Sequence, residues 1–134
     1  MKIDYRTELP DEDSFFRLFE TTGWESKKSK EELYWAINNS WYVVSAFRGK
    51  ELIGFGRIIS DGYLHAFITE MIITPAYQKK GIGKEILKRL VQEALDNDIY
   101  DIQLFAAEDK KEFYLKNGFI ERPDEAPGMQ YKIK

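Results

Sequence analysis

The stretch from Glu70 to Lys88, reading EMIITPAYQKKGIGKEILK, limits what this chain can fold into more than any other. Met71, Ile72 and Ile73 read as a strand ending. Pro75 cannot donate to a sheet ladder and biases Thr74 toward extended geometry, so it marks the strand's end. A helix then starts at Gly81-Ile82-Gly83, with Ile82, Ile86, Leu87, Leu90, Val91, Ala94 and Leu95 as a stripe on one face. Glu85 and Arg89 pair at i, i+4 on the solvent side. Another apolar run, Asp101 to Ala106 with Ile102, Leu104 and Phe105, follows this helix. A strand, helix, strand succession of this kind predicts parallel pairing through a right-handed crossover, and hence an α/β fold.

The junction between strand and helix carries chemistry of its own. Glycines at 81 and 83 let main-chain N–H groups approach a ligand with no β-carbon in the way. The helix N-terminus offers unpaired N–H donors and a partial positive charge, to which Lys79, Lys80 and Lys84 add full ones. Such a loop suits a phosphate or pyrophosphate. A Walker loop would need Gly where Gln78 stands and Ser or Thr where Glu85 stands, and a dinucleotide fingerprint would need Gly or Ala at Ile86. Both fail on spacing.

The remaining chain reads as follows. Lys2 to Glu8 alternates as a first strand ending before Pro10. Asp11 and Asp13 open a short helix with Phe15, Phe16, Leu18 and Phe19 on its apolar face, ending near Gly23. Ser29-x-x-Glu32 is a capping-box pattern for a second helix, in which Leu33, Tyr34 and Ile37 pack inward until Asn38-Asn39-Ser40. Trp41 to Phe47 turns at Arg48-Gly49-Lys50 and returns as Leu52 to Ile59, a hairpin. Gly54 and Gly56 in its second arm suggest a bulge or a close backbone approach. Ser60-Asp61-Gly62 turns into a long strand from Tyr63 to Ile73. Asp109-x-x-Glu112 is placed to cap a short helix through Lys116, and Gly118 to stop it. Phe119-Ile120 and Met129 to Ile133 read as a terminal strand pair.

The run Gln78-Lys79-Lys80-Gly81-Ile82-Gly83, preceded by an apolar strand and Pro75, resembles the Q/R-x-x-G-x-G/A signature by which GNAT superfamily N-acetyltransferases hold the pyrophosphate of acetyl-CoA. Downstream, Phe113-Tyr114-Leu115-Lys116-Asn117-Gly118-Phe119 is similar to that family's F-Y-x-K-x-G-F segment. The resemblance covers roughly the C-terminal half of the chain, and the N-terminal half matches in its order of elements. It implies a bent mixed sheet of six or seven strands with about four helices on both faces, and acetyl-CoA in a cleft between the fourth and fifth strands.

The reaction implied is acetyl transfer from a thioester to a primary amine, with no metal. Met71, Ile72 and Ile73 would bind the pantetheine arm by backbone, and Gln78, Lys79, Lys80, Gly81, Ile82, Gly83 and Lys84 the pyrophosphate. Tyr114 would face the cofactor sulfur and protonate the leaving thiolate. Glu70 would take the amine's proton, directly or through water, with Asp61 and Glu108 as alternative bases. The competing reading of Glu70 is a strand carboxylate paired with a nearby Lys or Arg, and that of Tyr114 a core aromatic. His65, the sole histidine, falls in mid-strand and reads as a packed or solvent-facing strand residue. Trp24, Tyr34, Trp41 and Tyr63 are candidates to line an acceptor pocket. The chain departs from the family pattern at Ala106-Ala107-Glu108-Asp109, where many members carry a cofactor-contacting Asn. The Ala66 to Gly83 segment and the Pro-Gly-Met ending also resemble the plant-type arylalkylamine (serotonin) N-acetyltransferase branch.

Length and composition set bounds. At 134 residues and 43% hydrophobic, the expectation is one domain over 1–134 with a single core. With no cysteine, disulfides, thiolate metal sites and a thiol nucleophile are excluded. The charged N-terminus MKIDYRTELPDED has no apolar signal core and no run approaches the ~18 apolar residues of a membrane span, so a cytosolic protein without a membrane partner is expected. A net charge of −3 argues against nucleic acid, and the local lysine cluster suits one phosphate-rich cofactor. The acceptor amine is not fixed by the sequence, and a homodimer is one oligomeric state left open. A non-catalytic acyl-CoA-binding sensor is the alternative function, against which the intact Tyr114 argues.

Overall fold

Short polar side chains set where the first two helices begin. In the computed structural model, which describes residues 2–133, the Asp11 carboxylate accepts the Ser14 N–H at 2.9 Å and opens α1 (Glu12–Glu20). Ser29 and Glu32 form a complete capping box at the start of α2 (Lys30–Asn38), satisfying two N–H groups that a helix end would otherwise leave unpaired. Both helices turn an apolar stripe inward, where Phe15, Leu18 and Ile37 are buried.

The chain divides into two compact units, one up to Leu104 and one from Phe105 onward. The first holds a five-stranded sheet in chain order: β1 (Asp4–Arg6), β2 (Tyr42–Arg48), β3 (Glu51–Ser60), β4 (His65–Ile73) and β5 (Asp101–Leu104). β1 to β4 form an antiparallel meander. β5 pairs parallel to β4 after the crossover helix α3 (Ile82–Asp96). The α1 and α2 face of the sheet is filled by Phe15, Leu18, Ile37, Val43, Leu52, Phe55 and Ile72, with the Phe15 ring edge-on to Phe55 at 5.1 Å. On the opposite face α3 presents Ile86, Leu87 and Leu90, all buried. No helix among the described residues is long and apolar enough to cross a membrane.

Gly56 explains how α3 comes so close. A β-carbon there would lie 2.7 Å from Met71 Sδ, 2.9 Å from Ile86 Cγ2 and 3.0 Å from Leu90 Cδ1. Opposite it the ladder slips, since Arg57 pairs with Thr69 but Phe55 pairs with Ile72, so Glu70 and Met71 together face the single residue Gly56. This is a β-bulge, and it holds Glu70 at φ 49. Gly54 and Gly56 thus mark both features that their place in an apolar strand predicts.

Several expected boundaries move. Among the described residues the sheet has five strands, not six or seven, because the anticipated terminal pair, Phe119-Ile120 and Met129 to Ile133, forms no strand. Met129, Tyr131 and Ile133 do alternate, yet each is at least 80% exposed; alternation needs a partner ladder and a face to bury before it makes a strand. β1 is shorter than Lys2 to Glu8. β4 begins at His65, not Tyr63, because the Asp61 carboxylate captures the N–H groups of Tyr63, Leu64 and His65 at 2.8–3.1 Å. β5 stops at Leu104, short of Ala106.

In the second unit α4 (Lys111–Leu115) carries the FYLKNGF segment. Asp109 does not cap it: the residue sits at φ 65, and the N-cap is Lys110, which makes no side-chain cap bond. Gly118, at φ 95, does end it, with the Phe119 N–H returning to the Tyr114 carbonyl at 3.1 Å in a Schellman arrangement.

Candidate active site

Three local structures carry the residues that the sequence points to, two in the first unit and one in the second. The first is the loop into α3. After the 3-10 turn at Pro75–Tyr77, the Gln78 side-chain amide donates to the Ile73 carbonyl at 2.9 Å, which ties the loop to the end of β4. Lys79 (φ 62) and Gly81 (φ 84) both adopt left-handed backbone. Alternating left-handed residues turn successive N–H groups toward one concavity. Gly81 is the N-cap of α3 and no side chain caps the helix. The first helical bond there runs from Glu85 N–H to the Gly81 carbonyl at 3.1 Å, so the N–H groups of Ile82, Gly83 and Lys84 precede it. Lys79, Lys80 and Lys84 are exposed around them. A β-carbon built on Gly81 meets nothing within 4 Å; the glycine is required by its φ, and the space beside it is open. Main-chain donors, a helix dipole and lysine charge therefore converge at one helix end, a fit for pyrophosphate.

The second is the stretch of β4 beyond its last β5 partner. β5 pairs with His65 to Ile68 only, so from Thr69 to Ile73 the β4 edge away from β3 runs on without β5. Such an edge can take an added extended chain, with Met71, Ile72 and Ile73 contributing main-chain groups. Their side chains pack, Ile72 in the α1 and α2 cluster and Met71 and Ile73 near Gly56 and Gly54.

Glu70 stands at the head of this edge, on the bulge. Its Oε1 accepts from Arg57 Nε at 2.6 Å and its Oε2 from Thr69 Oγ1 at 3.0 Å. The side chains of Arg57 and Glu70 are 11% and 27% exposed. Of the two readings open in the sequence, the geometry gives Glu70 an arginine partner. That pairing leaves its further acceptor capacity intact, because a carboxylate offers about four lone-pair sites. Arg57 escaped sequence reasoning. The signal that could have found it is a lone cation inside the apolar run Leu52 to Ile59.

The third is Tyr114 on α4. Its ring lies edge-on to Phe113 at 5.1 Å and to Phe119 at 5.9 Å. Burial pushes the phenol above its ordinary range, so it stays protonated at neutral pH.

The other candidates have visible local duties. Asp61, holding three N–H groups, has a carboxyl pulled down to about 2 by those bonds; a carboxylate so weakly basic builds the β3–β4 turn. Glu108 is exposed in the second unit. His65 pairs with Asp101 across β4 and β5. Tyr34 spends its hydroxyl on the Pro10 carbonyl at 2.6 Å, and Trp24 packs edge-on to Phe19. The Trp41 indole lies beside Gly62, and Tyr63 is 84% exposed.

Known proteins share both the sequence pattern and the fold of this chain. Residues 8–119 match the model of the acetyltransferase (GNAT) family. The uncharacterized N-acetyltransferase ycf52 of Pyropia yezoensis is 35% identical over 117 residues, covering 84% of this chain and 67% of that protein. Among solved structures, a GNAT-family acetyltransferase from Streptococcus pneumoniae TIGR4 superposes with a TM-score of 0.79 at 27% identity, covering 99% of this chain and 98% of that one. A probable acetyltransferase from meticillin-resistant Staphylococcus aureus shares the fold with a TM-score of 0.85 at 23% identity, covering 98% and 100%. The chain spans about two-thirds or less of the length of the curated relatives it matches. With a family model that takes in most of its length and relatives of this similarity, the chain belongs to the acetyltransferase (GNAT) family of enzymes.

Proposed function

We propose that this acetyltransferase takes its acetyl group from acetyl-CoA and passes it to a primary amine, on a small molecule or a polypeptide. The observation that carries the reading is the uncapped N-terminus of α3, entered through left-handed Lys79 and Gly81 and anchored by Gln78 to the end of β4. Residues 79 to 84 would hold the pyrophosphate by main chain, with the three lysines adding attraction. The β4 edge at Met71, Ile72 and Ile73, beyond its last β5 partner, would hold the pantetheine arm.

Acetyl-CoA, when bound, supplies the acetyl thioester. The protein's own groups then have three tasks. A protonated amine has no lone pair with which to attack, so Glu70 takes its proton, directly or through one water. A main-chain N–H of the β4 edge donates to the thioester oxygen as charge develops on it. Tyr114, kept protonated by burial, donates its phenolic proton to the leaving sulfur. The role of Tyr114 rests on its place in the FYLKNGF segment and on this protonation state.

The test is an acetyl-CoA-dependent thiol-release screen across polyamines, amino acids, aromatic amines, aminoglycosides and peptides with free amino groups, with cofactor-only turnover as the blank. Thiol release above the blank with at least one amine class is expected. CoA binding by calorimetry with no amine-dependent release from any class would overturn the enzymatic reading and leave an acyl-CoA sensor.

A further inference from the structure

We infer that Arg57 is the positioning residue of the proton acceptor: its guanidinium fixes the Glu70 carboxylate on the β4 bulge and ties it to the C-terminal end of α2. The inference rests on the role of Glu70 proposed above. Arg57 stands in β3 between Gly56 and Ile58 and is 9% exposed. Its Nε donates to Glu70 Oε1 at 2.6 Å, while Nη1 reaches the Ala36 carbonyl at 3.3 Å and Ser40 Oγ at 3.4 Å. Ser40 is itself fixed, donating its hydroxyl proton to the Ile37 carbonyl at 2.7 Å.

Two needs meet in this one side chain. The last turn of α2 has no basic residue of its own, and a cation at a helix C-terminus is favourable. Arg57 supplies it from the sheet. Glu70, held at φ 49, occupies a left-handed backbone region that disfavours L-residues, so contacts must hold it there. Arg57 on one oxygen and Thr69 on the other set a single carboxylate orientation, with lone pairs to spare on both.

The fork shape matters. A guanidinium can bond the carboxylate through Nε and the helix end through Nη1 at once, whereas a lysine ammonium at the same backbone position is a compact point charge on a flexible stem. Stability alone does not call for this pair, since buried ion pairs can often be replaced by apolar groups at no loss. Orientation of a reacting carboxylate does call for it. In the reaction Arg57 keeps all its protons; the amine's proton goes to Glu70 or to the water it holds, and Arg57 only fixes where that oxygen points.

The experiment uses the full chain as wild type, Arg57→Lys, Arg57→Met, Glu70→Gln and the Arg57→Met/Glu70→Gln double variant, each checked for folding by urea denaturation. Two readouts are taken. The Arg57 Nε–H signal in a nitrogen-15 correlation spectrum, assigned by its loss in Arg57→Lys, needs no acceptor; it is expected to exchange slowly with water in wild type and rapidly in Glu70→Gln. Steady-state rates are measured with acetyl-CoA and, as acceptor probes, tryptamine, spermidine and a lysine peptide with a free N-terminus. Arg57→Lys and Arg57→Met are expected to lower kcat by about tenfold or more while the KM for acetyl-CoA stays within about twofold, and Arg57→Met is expected to cost less than about twofold on the Glu70→Gln background, because it acts through Glu70. A full, additive loss on that background, or an unprotected Nε–H in wild type, would overturn the positioning role while leaving Glu70 in place. Wild-type turnover in Glu70→Gln would instead remove Glu70 as the proton acceptor, and the positioning of it along with it.

Discussion

The loop at 78–84 and the bulge at 69–73 both bend the main chain into left-handed conformation, and they do so to opposite ends. In the loop, Lys79 and Gly81 turn so that N–H donors stand unshielded at a helix end, with open space beside Gly81. In the bulge, Glu70 turns so that a side chain is gripped, by Arg57 from β3 and by Thr69 beside it. A site made of main chain is specified locally, by glycines, a proline and lysines within a few residues. A site made of a fixed side chain depends on a partner 13 residues away on another strand and, through it, on a helix end 21 residues from that partner.

The sharpest way to break the second region without touching its polar groups is Gly56→Val. The new side chain has to enter where even a β-carbon would sit 2.7 Å from Met71 Sδ and 2.9 Å from Ile86 Cγ2. Overpacking of a well-filled interior costs about 3 kcal/mol at the upper end of its usual range. A fall of that size in urea-unfolding free energy is expected, together with loss of turnover as the bulge shifts. An unchanged denaturation midpoint would show that close packing of α3 does not hold the bulge.

The same contrast explains what the sequence could and could not reveal. The α3 stripe, the β2–β3 hairpin, the capping box at Ser29 and the parallel pairing of β5 were legible because each is written as periodicity or as a cap within one window. The bulge itself was legible as Gly54 and Gly56. Its electrostatics were not: a carboxylate at 70 is compatible with a base or an ion pair until β3 is aligned against β4, and only the register Arg57 to Thr69 brings the guanidinium to it. The start of β4 falls later than the apolar run implies because a single Asp61 carboxylate takes three N–H groups from the ladder. Met129, Tyr131 and Ile133 show the converse failure, strand alternation in a segment that stays exposed.

For the loop, the matching perturbation is Gly83→Val. Gly83 lies in the first turn of α3 without a positive φ, so a valine is compatible with the helix and adds a branched side chain to the turn that carries the N–H donors. CoA affinity is expected to fall by more than about tenfold, on the order of 1.4 kcal/mol, with folding intact. Calorimetry showing wild-type CoA affinity in a folded Gly83→Val protein would remove the pyrophosphate from this loop. Tyr114→Phe tests the third element at a comparable size. It keeps the ring contacts to Phe113 and Phe119 and deletes only the phenolic hydroxyl, and with it the proton donor, so kcat is expected to fall about tenfold while acetyl-CoA binding stays nearly unchanged. In wild type, since burial raises this phenol, its ionisation should depress the rate only at a pH higher than an ordinary phenol would. Equal turnover in the two proteins would make Tyr114 a packing residue.

The smallest effect is expected at Asp61, which separates a carboxylate that shapes a turn from one that reacts. Its carboxyl is lowered to about 2 from an ordinary 3.8, first by the Tyr63 N–H and then by those of His65 and Leu64. The sign follows from linkage: a carboxyl with a depressed folded-state value stabilises the fold above its unfolded value, and that contribution fades as pH falls from about 4 toward about 2. Asp61→Ala removes the acceptor at every pH. Its melting temperature should therefore lie slightly below wild type near neutrality, and the gap should close as both proteins are melted at successively lower pH through that window. The group is fully exposed, so solvent screening keeps the gap small. Turnover at neutral pH should match wild type, because an Asp61 committed to three N–H groups takes no proton from the amine. A large loss of kcat in a stable Asp61→Ala protein would reverse the comparison, making the turn carboxylate the proton acceptor and the paired Glu70 the structural one.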